Sequence, residues 1–333
     1  MLFEKELSIK ENLSEFSRRK FLNSSLLSAA AVASGGVFAS VSALAELPKK
    51  FNFELSLAQW SLHKALFANE ISPLDFPVVA RKSYDIGAVE YVNQFFYEKA
   101  KDKIFLTELK NRCEDNGVVS SLIMIDKEPE LASPDAKERA AGVEGHKKWI
   151  DAAIFLGCTA IRVNLHGNST LEQWTKSSVE SLQNLSAIAK PIGIKILVEN
   201  HGGFSSSGKN MAEVMRLAND SNIGTMPDFG NFCVRREVAG DLWKSACVEQ
   251  YDAYRGVAEM MPYAGAFSAK SFNFDAQGNE PDIDFLAMFK LMRASRYRGY
   301  VGIEYEGEKM SEDAGIRATK KLIEKVRAEL NIA

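Results

Sequence analysis

Three acidic residues each end an apolar run of the chain. Glu199 follows an Ile-Leu-Val run, Asp228 follows Met-Pro, and Glu304 follows Gly-Ile. A carboxylate at the end of a buried strand is partly desolvated, and three that meet repel one another unless protons or a cation neutralise them. Such an oxygen-rich set suits a hard divalent ion such as Mg²⁺ or Mn²⁺. The alternative is three separate acids on solvated loops.

Other polar residues follow neighbouring apolar runs. The candidates for contact with a substrate are Trp60, His166, His201, Asn231 and Lys270. An aromatic face can pack on a sugar ring, and imidazole, amide and ammonium groups can hold hydroxyls or developing oxyanion charge. Each also has a structural interpretation, with the tryptophan in the core, the histidines hydrogen-bonded and the lysine in an ion pair. Glu90 is a further candidate within the second apolar run.

The elements that must position these residues alternate regularly. Short apolar runs alternate with longer amphipathic stretches, which predicts βα units and a parallel sheet. The predicted strands are Phe53–Gln59, Ala88–Val92, Val118–Ile125, Ala160–Leu165, Lys195–Glu199, Gly224–Asp228, Gly265–Lys270 and Tyr300–Glu304. The predicted helices are Leu74–Tyr84, Lys103–Asn116, Pro134–Leu156, Leu171–Ile192, Met211–Ala218, Leu242–Met261, Asp284–Ser295 and Glu312–Leu330. Left-handed helix caps are predicted at Gly87, Gly117, Gly157 and Gly193.

Eight such units predict a single (β/α)₈ barrel over residues 46–333, with no internal domain boundary. In this fold the chemistry lies at the C-terminal ends of the strands, so the three acids would converge there. An open, doubly wound sheet is the alternative. It would predict a Gly-rich turn after the first strand, and residues 60–64 contain no glycine.

Residues 1–45 differ in composition from the rest. Arg18-Arg19 precedes an uncharged stretch from Asn23 to Ser42, which ends at Ala43-Leu44-Ala45. This order is typical of a cleaved twin-arginine export signal. We therefore expect a periplasmic mature chain, the twin-arginine translocase as a partner during export, and no stable membrane insertion after cleavage. A single membrane anchor is the alternative, which the Ser, Gly and Ala content disfavours.

Composition excludes several classes of site. The 333 residues carry a net charge of −3, which argues against a nucleic-acid-binding surface. Only four histidines are present, too few for a His-rich multi-metal centre. The four cysteines show no C-x-x-C pair, which excludes zinc ribbons and thioredoxin-type motifs. Cys158 is expected to be a buried small hydrophobe. Cys233 and Cys247 are the only pair close in sequence, and their spacing alone does not predict a disulfide.

From Phe53 to about Leu330 the chain resembles the xylose-isomerase-like sugar phosphate isomerase/epimerase barrels. The resemblance rests on LVENHGG from residue 197, DFGN from residue 228 and GIEYEG from residue 302. It implies that Glu199, Asp228 and Glu304 bind one divalent metal, Mn²⁺ or Mg²⁺, and that the two glutamates transfer the proton. The family keeps a histidine ligand where this chain has Ser268, and the lysine two residues later is Lys270. The segment 269–275 looks like that of an exported subgroup.

The resemblance implies isomerisation or epimerisation by proton transfer next to a sugar carbonyl, which a metal would polarise. An unphosphorylated or oxidised sugar is expected, because no Gly-rich cradle or Arg/Lys cluster marks a phosphate site. A metal-dependent lyase or deglycosidase acting on 3-keto-glycosides would use the same residues. A non-catalytic, exported sugar-binding barrel is the third hypothesis. The sequence leaves the formation of a homo-oligomer open.

Overall fold

The computed structural model describes residues 50–332, so the predicted export signal lies outside the described residues. Eight parallel strands alternate with helices, as predicted for a (β/α)₈ barrel. These strands are β1 Glu54–Ala58, β2 Ala88–Val92, β3 Val119–Met124, β4 Ala160–Val163, β5 Lys195–Glu199, β6 Ile223–Met226, β9 Phe267–Ser271 and β10 Tyr300–Tyr305. Strands β7 Cys233–Arg236 and β8 Cys247–Gln250 form a separate antiparallel hairpin. The ends of the predicted barrel strands are shifted by at most two residues.

The sheet curves into a nearly closed ring. Its strand order is β6-β5-β4-β3-β2-β1-β10-β9, and every neighbouring pair is parallel. Two isolated parallel bridges, Thr225 with Ala264 and Asp228 with Ser268, join the β6 edge to the β9 edge. Glu304 is the register partner of Lys270 across the β9–β10 pair. Register partners point to the same face of a sheet. The bridges between β6 and β9 therefore bring Asp228 and Ser268 to the same end of the barrel as Lys270 and Glu304.

Helices cover the outside of the ring. They are α1 His63–Phe67, α2 Phe76–Tyr84, α3 Lys103–Asp115, α4 Ala136–Leu156, α5 Leu171–Ala189, α6 Gly208–Ala218, α7 Ala253–Met260, α8 Phe285–Ser295 and α9 Glu312–Ile332. Several begin at a side-chain cap. The Asp102 carboxylate accepts the N–H groups of Ile104 and Phe105, and Asp284 accepts that of Ala287. Such caps satisfy N–H groups that have no partner within the helix.

The buried apolar residues form two groups. The larger lies between the strands and the helices and includes Trp149 and Phe289. The smaller comes from alternate strand residues that face the barrel interior: Ala58, Val92, Leu122, Met124, Ala160, Leu197, Met226 and Ala266. Since side chains alternate along a strand, Glu199 lies on the same face as Leu197, one step closer to the C-terminal end. The apolar interior therefore supports a polar layer at that end.

Two local predictions are wrong. The segment predicted as a helix over Leu242–Met261 is helical only from Ala253, because residues 247–250 pair with β7 and a disulfide joins Cys233 to Cys247. Long-range pairing here overrides the local helical pattern. Helix α2 ends in a left-handed residue at Asp85 and not at Gly87, whereas the other three predicted glycine caps have positive φ.

Cys158 is buried and free, as expected. Within residues 50–332, no helix has both the length and the apolar character needed to cross a bilayer.

Candidate functional site

Three acids meet at the C-terminal end of the barrel. Glu199 ends β5, Glu304 lies near the end of β10, and Asp228 follows β6. Their side chains are buried, and each offers an oxygen within 4.8 Å of the oxygens of the other two. The interpretation as three separate solvated acids is therefore wrong. The carboxylate floor, as we call Glu199, Asp228 and Glu304, is a single cluster.

Asp228 is held by its own loop. Its Oδ1 accepts the N–H groups of Gly230 and Asn231, each at 2.7 Å. Its N–H donates to Asn200 Oδ1 at 2.7 Å. Burial and the neighbouring Glu304 carboxylate raise the pKa of Asp228 to about 6, against the opposing effect of Lys270. The loop thus fixes one oxygen and leaves Oδ2 directed into the cluster.

Ser268 lies between two of the acids. Its Oγ is 2.7 Å from Asp228 Oδ2 and 2.5 Å from Glu304 Oε2. A hydroxyl donates only one hydrogen bond, so only one of these carboxylates receives its proton at a time. The residue at the seventh barrel strand therefore contacts the floor directly.

Lys270 supplies positive charge to the floor. Its Nζ lies 3.5 Å from Asp228 Oδ2, 3.7 Å from Glu304 Oε2 and 3.5 Å from Glu306 Oε1. It also lies 3.3 Å from Asn231 Oδ1. Burial disfavours the charged ammonium, but the surrounding acids hold the pKa of Lys270 well above its ordinary value. Lys270 is thus both the ion-paired residue and the site residue that the sequence suggested.

Arg162 supplies a second cation. Its Nε lies 2.8 Å from Glu199 Oε2, and its Nη1 lies 2.5 Å from Asp126 Oδ1. Asn231 Nδ2 donates to Glu199 Oε1 at 3.3 Å. Burial raises the pKa of Glu199 well above its ordinary value, and Arg162 opposes this effect. Arg162 lies within the predicted strand Ala160–Leu165, and the sequence gave it no role. The sequence feature that could have revealed this role is a charged residue within an apolar strand, because a buried guanidinium requires a carboxylate partner.

The floor fits a divalent cation. Three convergent carboxylates are an appropriate donor set, since hard cations prefer oxygen ligands. The raised pKa values of Glu199 and Asp228 indicate that Arg162 and Lys270 do not fully compensate the buried negative charge. Added positive charge at this position would therefore be favourable.

The two predicted histidines stack beside the floor. The rings of His166 and His201 lie 5.6 Å apart with an interplanar angle of 17°. His166 Nε2 donates to the carbonyl oxygen of His201 at 3.0 Å, a structural hydrogen bond. His201 Nδ1 is buried and has no hydrogen-bond partner within residues 50–332. Burial lowers the pKa of both histidines, so both rings are neutral near pH 7.

A cavity of about 740 Å³ opens above the floor. All five residues predicted to contact substrate line it: Trp60, His166, His201, Asn231 and Lys270. Trp60 is only partly buried, and its ring stacks on His63 at a centroid distance of 4.9 Å. Glu304 and Trp243 also line the cavity, and Trp243 was not among the residues predicted to contact substrate. Trp243 was missed because it lies in the segment predicted to be helical.

Glu90 lies beneath the site. It is fully buried, its Oε1 accepts a hydrogen bond from Ser56 Oγ at 2.6 Å, and its Oε2 has no partner within residues 50–332. A Cβ at position 302 would fall 2.5 Å from Glu90 Oε2, so the glycine there makes room for the carboxyl group. Burial raises the pKa of Glu90 to about 8, and the group is therefore neutral near pH 7.

Comparison with known proteins identifies the family. The family described as xylose isomerase-like TIM barrel matches residues 79–326. The chain belongs to this family. No curated protein matches the chain significantly.

Several solved structures share the fold of this chain at low sequence identity. An L-ribulose 3-epimerase structure is 14% identical and has a TM-score of 0.63; the match covers 84% of this chain and 98% of that chain. For the IOLI protein with a bound zinc atom the identity is 16%, the TM-score 0.61 and the coverage 82% and 99%. For the 3-keto-D-glucoside 4-epimerase of E. coli the identity is 13%, the TM-score 0.56 and the coverage 81% and 99%.

Proposed function

We propose that the chain is a sugar isomerase or epimerase that transfers a proton next to the carbonyl of an unphosphorylated or oxidised sugar. The observation that carries this proposal is the convergence of Glu199, Asp228 and Glu304, with Lys270 beside them, below a cavity at the C-terminal end of the barrel. That end carries the chemistry in barrels of this class. Two of the similar structures are those of sugar epimerases, which supports the same reaction class.

Glu199, Asp228 and Glu304 would hold a divalent cation, for which their oxygens favour Mn²⁺ or Mg²⁺. The zinc-containing structure of similar fold supports a divalent ion in general. When bound, such an ion polarises the substrate carbonyl and acidifies the neighbouring C–H.

The two glutamates of the floor handle the proton. Glu199 takes it from the carbon next to the carbonyl, because burial makes its carboxylate more basic than an exposed one, while Arg162 at 2.8 Å favours the charged form that accepts a proton. Glu304 enters the step with a proton of its own and donates it to the carbon skeleton, and the Ser268 hydroxyl at 2.5 Å from Glu304 Oε2 is placed to stabilise the carboxylate left behind. Exchange with solvent then removes the proton from Glu199 and restores that of Glu304. Return to the same carbon from the opposite face gives epimerisation, and return to the neighbouring carbon gives isomerisation.

The remaining cavity residues orient the sugar. The Lys270 ammonium stabilises the oxyanion that develops as the proton leaves, because a buried cation acts strongly in a water-poor site. Asn231 and the unpartnered His201 Nδ1 bind sugar hydroxyls. Trp60 presents its ring to an apolar face of the sugar.

Exchange of a substrate proton with solvent tests the proposal. A panel of keto-sugars is incubated in D₂O with manganese and the wild type or Glu199→Gln, and deuterium incorporation is followed by NMR. We expect the variant to lose roughly 100-fold or more of the exchange rate, the usual contribution of a general acid or base. The matched control is Glu90→Gln, a buried glutamate that does not line the cavity, which should retain exchange.

Other outcomes separate the alternatives. Full exchange by a folded Glu199→Gln protein would contradict the assignment. Release of an aglycone from 3-keto-glycosides would instead identify the lyase or deglycosidase. Sugar binding in EDTA with no exchange by the wild type would identify a non-catalytic binding protein.

A further inference from the structure

Residues 233–250, between the sixth barrel strand and α7, form a projecting hairpin. Strand β8 is exposed and strand β7 is mostly half-buried, and none of the hairpin's apolar residues belongs to the buried core. A hairpin of this kind is marginally stable without further support. The Cys233–Cys247 disulfide provides that support by joining the two strands.

Polar contacts hold the turn of the hairpin in one shape. The Arg236 guanidinium donates to the carbonyl oxygens of Leu242 and Ser245, each at 2.6 Å. The Asp241 carboxylate accepts the N–H groups of Trp243 and Ser245, at 2.9 and 2.5 Å. The turn is therefore ordered by hydrogen bonds and a cross-link in place of apolar packing.

These contacts place two apolar side chains over the site. Gly202 has φ +86°, and a Cβ there would lie 3.3 Å from Leu242 Cδ2 and 3.5 Å from Trp243 Cη2. The ring of Trp243 lies 4.5 Å from that of His201. A glycine with left-handed backbone thus lets the hairpin approach the end of β5 closely.

Trp243 lies in the outer part of the cavity. It lines the same space as Glu304, yet 46% of its surface is exposed, whereas only 4% of Glu304 is exposed. The cavity volume of about 740 Å³ is in the upper part of the range for small-molecule sites, about 300–1,000 Å³. A reacting sugar on the floor would therefore leave room beside Trp243.

We propose that Trp243 is the wall of an outer subsite, which binds a second ring attached to the reacting sugar. The substrates would then be glycosides, and not free monosaccharides. The indole of Trp243 can pack on the apolar face of a sugar ring or on an aryl group, so either can be the second ring. The inference rests on the proposed function for the inner sugar and adds the substrate class.

Binding of unreactive glycosides tests this inference. Isothermal titration calorimetry measures the Kd of each ligand. The one-ring ligands are methyl β-D-glucopyranoside and the matching galactoside. The two-ring ligands are the phenyl β-D-glycosides of both sugars and cellobiose, whose second ring is a sugar. In the wild type we expect at least one two-ring ligand to bind about tenfold more tightly than the methyl glycoside. Preference for the phenyl glycoside alone indicates an aryl group, and preference for cellobiose indicates a second sugar.

Trp243→Ala should reduce this preference to about one. The matched control is Val248→Ala, a truncation of an exposed residue of the same hairpin that does not line the cavity, and it should keep the wild-type ratio. The absence of a preference in the wild type, or an unchanged ratio in Trp243→Ala, would overturn the inference. Because binding needs no turnover, this ratio is independent of the proton exchange that tests the proposed function.

Discussion

Replacing Glu90 by glutamine should remove a loss of stability that the wild type suffers as the pH rises. Glu90 is fully buried, and burial raises its pKa from 4.5 to about 8. At neutral pH the folded state therefore keeps the proton of Glu90, whereas the unfolded state has released it. Glutamine has nearly the same shape as the neutral acid and cannot ionise.

The size of the effect follows from the two pKa values. Below about pH 4.5 both states of the wild type hold the proton, and Glu90 adds no pH dependence. As the pH rises from 4.5 to about 8, only the unfolded state loses it, so the free energy of unfolding falls. One pKa unit corresponds to about 1.4 kcal/mol, which gives at most about 5 kcal/mol in total and about 3 kcal/mol between pH 5 and pH 8.

Urea unfolding at pH 5, 6, 7 and 8 in EDTA measures this effect. The gap between Glu90→Gln and the wild type should shift by about 3 kcal/mol in favour of the variant over this range. Other titrating groups, such as Asp228, contribute equally to both proteins and cancel in the difference. Glu54→Gln, at an exposed glutamate of β1, is the control and should follow the wild type. A gap that does not change with pH would refute the buried, neutral carboxyl.

The remaining predictions concern the metal and export. Manganese at about 100 times its Kd should stabilise the wild type by about 2.7 kcal/mol, which is roughly 5–10 °C in Tm, and Asp228→Asn should abolish the shift. Equal shifts in thermal scans of both proteins would contradict the ligand assignment. Replacing both Arg18 and Arg19 by lysine should leave the precursor in the cytoplasm, as measured by fractionation and immunoblotting. An unchanged distribution would exclude twin-arginine export.

The carboxylate floor was predictable because its signal is local. Each of Glu199, Asp228 and Glu304 ends an apolar run, and parallel strands that alternate with helices place their C-terminal ends together. The same reasoning brought His201 and Lys270 to the cavity. The positions of the apolar runs and their alternation with helices therefore determine which side chains share one end of the barrel.

The electrostatic partners within the site were not predictable in this way. The approach of Arg162 to Glu199, and of Ser268 to Asp228 and Glu304, depends on register across a closed sheet. The hairpin was missed because its stability comes from a cross-link between distant residues, and cysteine spacing does not reveal geometry.

The disulfide between Cys233 and Cys247 makes one part of the molecule depend on the redox state of its surroundings. Strand pairing and apolar packing assemble the barrel and its acids without any oxidant. The hairpin has no buried apolar residue of its own, so the part of its rigidity that comes from the disulfide requires surroundings in which thiols can be oxidised. A chain with reduced cysteines would therefore have the carboxylate floor in place, but its 233–250 hairpin would lack the disulfide. Selection among ligands by Trp243 would then depend on oxidation, whereas the barrel fold would not.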